Sequence, residues 1–127
     1  MHCLICFHCS VQSSDKAWSD AIALDPRNPN AWSNRGTSRL QFGRWEDALS
    51  DLRQAAELEM QVGEDGPSGL LLNQLGNAEG AVQDWESASK HYKQAAERAP
   101  EIESLALANL ALAHCEMKVI GIESTPP

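Results

Sequence analysis

The densest group of side chains able to do chemistry opens the chain: Cys3, Cys6 and Cys9, with His2 and His8 interleaved. Two overlapping Cys-x-x-Cys spacings raise metal binding and thiol exchange. Structural zinc takes four ligands at tetrahedral corners, usually as two pairs separated by a longer loop. Here every candidate donor falls between His2 and Cys9, with no distant second pair. Haem attachment needs His directly after Cys-x-x-Cys, and Phe7 stands there. A thiol-redox motif belongs ahead of a helix in an α/β setting, and the chain has no strand-like alternation. Cys3, Cys6 and Cys9 are therefore secondary candidates for a metal or thiol function. No cofactor is expected, and residues 1–12 read as an unrelated Cys/His-rich leader, disordered or foreign to the domain.

The rest of the chain offers no catalytic constellation. His91 and His114 stand without an acid or nucleophile at recognisable spacing, and Cys115 reads as a small groove or packing residue. There is no phosphate-cradling glycine loop, no Gly-x-Ser-x-Gly elbow and no His-Glu-x-x-His. A non-enzyme is expected. With 127 residues, 43% hydrophobic and 22% charged, the chain has the composition of one ordinary globular domain. A net charge of −8 argues against nucleic acid, whose binding requires Lys and Arg to replace phosphate counterions. The basic residues form no run that would hold an anionic membrane, and Leu4 to Phe7 is far too short to cross one. With no basic residue ahead of that stretch and no small-residue cleavage site, it is a poor signal peptide. A soluble intracellular protein is expected, its compartment open.

What positions the side chains is helical throughout. Asp15 to Leu24 carries Trp18, Ala21 and Ile22 at helical spacing, and Asp25-Pro26 stops it, because proline disfavours helix in the residue before it. Asn30 is placed to cap a helix beginning at Ala31 and ending near Gly43. A second runs from about Arg44 to Gln61, with Trp45, Ala48, Leu49, Leu52, Ala55 and Leu58 on one face. The stretch Gly63 to Ser68 is a solvated loop, from which Ser68 could cap the helix carrying Leu71, Leu72, Leu75 and Gly76. Further helices span about Asp84 to Arg98 and Ile102 to Lys118. Six helices joined by short turns pack as antiparallel neighbours.

Two of these segments repeat. Trp45 to Glu57 and Trp85 to Glu97 are near copies, and Gly36 and Gly76 stand at the same distance ahead of the respective Trp. The pairs resemble the tetratricopeptide repeat, a helix-turn-helix unit of about 34 residues. One unit, 29–62, matches through Trp32, Gly36, Leu40, Ala48, Leu52 and Ala55, with Met60 where proline is usual. The next, 69–102, matches through Leu72, Leu75, Gly76, Ala88, Tyr92, Ala95 and Pro100. Residues 13–26 match a second helix alone, through Trp18, Ala21 and Pro26. Residues 103–118 match a first helix alone, through Leu107, Leu110 and Ala111. The repeat domain is thus 13–118, with 119–127 a flexible tail. Arg35 replaces the usual leucine, while Arg39 and Glu79 stand where an aromatic is common, so packing there should be less ideal. Measured from Gly36 to Gly76, the two full units are spaced more widely than the family repeat, and the excess falls in the acidic loop.

The resemblance implies an all-α fold, a right-handed alpha-alpha superhelix of antiparallel helix pairs whose first helices line a concave groove. The implied partner-binding residues are Ser33, Asn34, Thr37, Asn73, Gln74, Asn77 and Asn109. Side-chain amides donate and accept, so they can hold the backbone of an extended peptide whatever its charge. Co-chaperone repeats that hold acidic C-termini need Lys and Arg in the groove. Ser33, Asn73, Leu105 and Asn109 stand at those places, so no such clamp forms. Arg35 and Arg39 are expected to be solvated or paired with acids such as Glu46 and Asp47. Trp18, Trp45, Leu52, Trp85 and Tyr92 are expected to fill the gaps between helices. Together these features predict a non-catalytic scaffold that binds a protein or peptide and inserts into no membrane. The alternatives are a regulatory repeat fragment of a larger enzyme and a small metal- or thiol-binding protein. With Leu105, Leu107, Leu110 and Leu112 on an uncovered last helix, self-association through that end is also expected.

Overall fold

The computed structural model describes residues 2–63 and 65–121, with side chains from residue 13 onward. It divides into two compact units, Met1–Asp65 and Gly66–Pro127, at the acidic loop. All regular structure among the described residues is helical. The side chains of Cys3, Cys6 and Cys9, and the tail from residue 122, lie outside the described residues.

The first unit holds α1 (His2–Leu24), α2 (Pro29–Gln41) and α3 (Trp45–Val62). The first helix begins at His2 rather than near Asp15, so the backbone of the leader is helical. The second begins earlier than expected as well. Asn28, not Asn30, is its cap, accepting from the Asn30 amide at 3.0 Å. Pro29 occupies the first helical position, where a missing N–H costs nothing. Trp32 locks the preceding turn by donating its indole N–H to the Pro26 carbonyl at 2.9 Å. Gly43, at φ +80°, turns the chain into α3. The two helices touch at Gly36, where a Cβ would lie 2.8 Å from Leu52 Cγ. Leu52, Ala48 and Ala55 are fully buried around that contact.

The second unit holds α4 (Gly69–Ala81), α5 (Trp85–Arg98), a 3₁₀ turn (Pro100–Ile102) and α6 (Glu103–Val119). Ser68 caps α4, accepting from the Leu71 amide at 3.2 Å. Asp84 caps α5, accepting from the Ser87 amide at 3.3 Å. Gly76 repeats the role of Gly36: a Cβ there would meet Tyr92 Cε1 at 2.7 Å. The last helix packs on α5, Ala113 and Leu110 against Ala88, Tyr92 and Trp85, and Ala106 against Leu72 and Ala95.

The two tryptophans of the repeated block differ. Trp85 lies over Gly80, where a Cβ would be 2.7 Å from its ring. Trp45 is 45% exposed, against expectation. Leu40 stands in the first unit at the register of Gly80, so the first unit lacks the glycine over which Trp85 lies.

Candidate interaction surface

Arg35 and Arg39 interrupt the apolar pattern of α2, and their surroundings decide what that helix can offer a ligand. Arg35 donates to both carboxylate oxygens of Asp51, Nε at 2.9 Å and a terminal nitrogen at 2.8 Å, and to Ser19 Oγ at 3.0 Å. Its guanidinium also lies over the Trp32 ring, 5.2 Å from the centroid. Arg39 donates to Asp51 at 3.0 Å and to both oxygens of Asp15, at 2.8 and 3.3 Å. Asp51 is 2% exposed. A carboxylate so enclosed is tolerable only when paired and hydrogen-bonded. The acids that neutralise the arginines are thus Asp51 and Asp15, not Glu46 and Asp47. The cause is geometric: Asp51 borders the same α2–α3 contact as Leu52, its Cβ lying 3.1 Å from where a Cβ on Gly36 would stand.

The network leaves an electrostatic signature. The hydrogen bond from Arg39 holds Asp15 below the usual carboxylate range, against the opposing effect of burial. Burial works to lower Arg39, yet its bond to Asp15 and the charge of Asp51 leave it raised.

The second unit fills the same register with other polar residues. Glu79 stands at the place of Arg39, and His91 at the place of Asp51, when the repeated blocks are aligned. Glu79 is 2% exposed and meets His91 Nδ1 through Oε1 at 2.5 Å. His91 therefore does have an acid partner, contrary to expectation. At the register of Arg35 the second unit has Leu75, buried. Each unit ties a first helix to the second helix that follows it through a polar pair inside the seam, guanidinium to carboxylate in one and imidazole to carboxylate in the other. Subtracting one copy of the repeat from the next would have exposed this difference.

The amide-bearing residues fall into two groups. On α2, Asn34 is exposed, while Ser33 and Thr37 are half-buried, Ser33 donating its hydroxyl to the Asn30 carbonyl at 3.1 Å. On α4, Gln74 and Asn77 are half-buried and Asn73 is 2% exposed. Asn109 of α6 donates through Nδ2 to Asn73 Oδ1 at 3.1 Å, tying α4 to α6. The Tyr92 hydroxyl donates to Asn77 Oδ1 at 2.7 Å, so Asn77 presents its donor nitrogen and Asn109 its acceptor oxygen. Burial first, and the Glu79 charge second, push the Tyr92 phenol up to about 12. Among the described residues no group of three or more His, Cys, Asp or Glu could hold a metal ion. Likewise none of the described helices is long and apolar enough to cross a membrane.

A family model described as Tetratricopeptide repeat matches residues 28–101, more than half of the chain. The chain belongs to the tetratricopeptide repeat family. Among curated proteins it is similar to the DnaJ protein P58IPK homolog of Arabidopsis thaliana, 29% identical over 126 residues. That match takes in 91% of this chain and 25% of the relative, so the chain spans about a quarter of the relative's length. Among solved structures it is similar to the first TPR domain of the human RPAP3 protein, determined by NMR. The TM-score is 0.76 at 20% identity, covering 90% of this chain and 84% of that one. The fold is all-α and of the tetratricopeptide type. Repeats of this family are in general non-catalytic interaction modules.

Proposed function

We propose that the chain is a non-catalytic scaffold, soluble and intracellular, which binds an extended segment of a partner protein along its first helices. The observation that carries this is the pairing of both arginines of α2 with Asp51 and Asp15. With those charges neutralised from within, what Asn34, Gln74 and Asn77 offer a ligand is amide chemistry. Side-chain amides recognise peptide backbone, so the ligand is selected by shape and apolar side chains rather than by acidic groups. An exposed free thiol at Cys115 fits a reducing compartment.

The test begins with a phage-displayed library of random linear peptides selected on the full chain. Synthetic peptides from the winning clones are then titrated against wild type and against Asn34→Ala/Gln74→Ala. Both side chains are at least partly exposed, so helical content should not change. We expect the variant to lose at least tenfold in affinity, the equivalent of about 1.4 kcal/mol. Equal affinity for both proteins would refute the assignment.

A further inference from the structure

The register shared by the three first-type helices identifies a second, separate surface. Ala111 of α6 stands at the place of Gly76 in α4, and the same alignment matches Leu107 with Leu72, His114 with Glu79 and Cys115 with Gly80. In α4 these four places face α5 and are buried, with Leu72 at 4% and Glu79 at 2% exposure. In α6 all four are exposed, Leu107 at 46%. The face of α6 that does pack, Ala106, Leu110 and Ala113, corresponds to Leu71, Leu75 and Ala78 of α4. The last helix therefore shows, uncovered, the seam in which each other unit seats a second helix.

The first unit carries the complementary half. Trp18 and Ala21 of α1 stand at the places of Leu52 and Ala55 in α3, and beyond them of Tyr92 and Ala95 in α5. Leu52, Ala55 and Ala95 are fully buried and Tyr92 is 4% exposed, whereas Trp18 and Ala21 are only half-buried and Ala17 beside them is exposed. What α1 does pack against α2 is another edge: Asp15 and Ser19 meet Arg39 and Arg35, and Ser14 meets Ser38. Among the described residues, an unpaired first-type face and an unpaired second-type face thus occur in one chain.

We propose that copies of this chain associate head to tail, α1 of one copy seating in the open seam of α6 of the next. Trp18 occupies the notch over Ala111, as Leu52 does over Gly36 and Tyr92 over Gly76, and the pair completes a repeat from two chains. Because the two faces differ, the contact is heterologous, and it builds closed rings or open filaments according to the rotation between copies. The contact uses helix faces other than the amide row, so peptide binding and self-association stand or fall separately.

Ala17→Arg and Ala111→Arg test this without touching a buried side chain, since both positions are exposed. Sedimentation velocity of the wild-type chain should give a mass that rises with concentration above that of the monomer. Each variant alone should stay monomeric, because one of its two faces is blocked. Mixing them should yield a one-to-one dimer, formed from the open α6 of Ala17→Arg and the open α1 of Ala111→Arg. A wild-type chain that is monomeric at high micromolar concentration would overturn the proposal. So would variants that still assemble alone, or a mixture that stays monomeric. Circular dichroism of each variant, matching wild type, confirms that a lost association is not a lost fold.

Discussion

Replacing Asp51 by Ala removes the carboxylate on which two guanidinium groups converge at 2.8 to 3.0 Å. Both arginine side chains are 15% exposed, and solvent cannot reach the seam well enough to take the place of the acid. Breaking a buried ion pair from one side costs about 3–5 kcal/mol, chiefly through the charge left behind. Arg39 keeps Asp15 and Arg35 keeps Ser19, which places the expected loss near the lower limit, at about 3 kcal/mol. The triple variant Arg35→Leu/Arg39→Leu/Asp51→Leu should lie much closer to wild type. It removes Asp51 together with both guanidinium groups and leaves the part-exposed Asp15 to Arg44, 3.6 Å away; the second unit already uses Leu75 at the register of Arg35. Urea unfolding followed by tryptophan fluorescence is the assay of choice, since Trp18, Trp32 and Trp45 all belong to the first unit. A single variant within about 0.5 kcal/mol of wild type, the range of ordinary surface substitutions, would refute the reasoning. A triple variant no more stable than the single would do the same.

Three further outcomes are expected. Gln83 holds φ +67° at the register where the first unit has Gly43 at +80°, so Gln83→Gly should stabilise the second unit by about 0.5–1 kcal/mol, visible as a higher urea midpoint. Tyr92 is the single tyrosine, and its phenolate absorbance should appear near 12 rather than 10. Its folded pKa is raised, so the stability it contributes is complete below about 10 and is lost as pH climbs through 12. Asp15 is depressed, so its contribution is complete above its ordinary value of 3.8 and disappears as acid carries the pH through its lower folded value. Asp15→Asn should therefore flatten the acid limb of the first unit's stability curve.

The fold was readable because its signals are local and repeated. Small residues at Gly36, Gly76, Ala48 and Ala88 recur where helices touch, and the caps at Ser68 and Asp84 follow from ordinary end chemistry. Helix starts were less so: Asn28 and Asn30 are both capping residues, and only proline's tolerance at the first position separates them. The seam charges were hidden for a different reason. Arg35, Arg39 and Asp51 look like surface residues by type, and burial becomes tolerable only once all are present together. Trp45 and Trp85 look alike in the repeated block, yet Trp85 lies over Gly80 while the first unit has Leu40 at that register and Trp45 is 45% exposed. The amide row was legible as residue types, but the bonds of Asn73 with Asn109 and of Asn77 with Tyr92 are tertiary facts.

The most direct test of the central claim maps a bound library-selected peptide by NMR, reading the side-chain amide resonances of the full chain. Peptide should shift the resonances of Asn34, Gln74 and Asn77, while the indole N–H of Trp32, held by the Pro26 carbonyl, stays in place. Shifts confined to α3 and α5, with the amides of α2 and α4 unmoved, would contradict the claim.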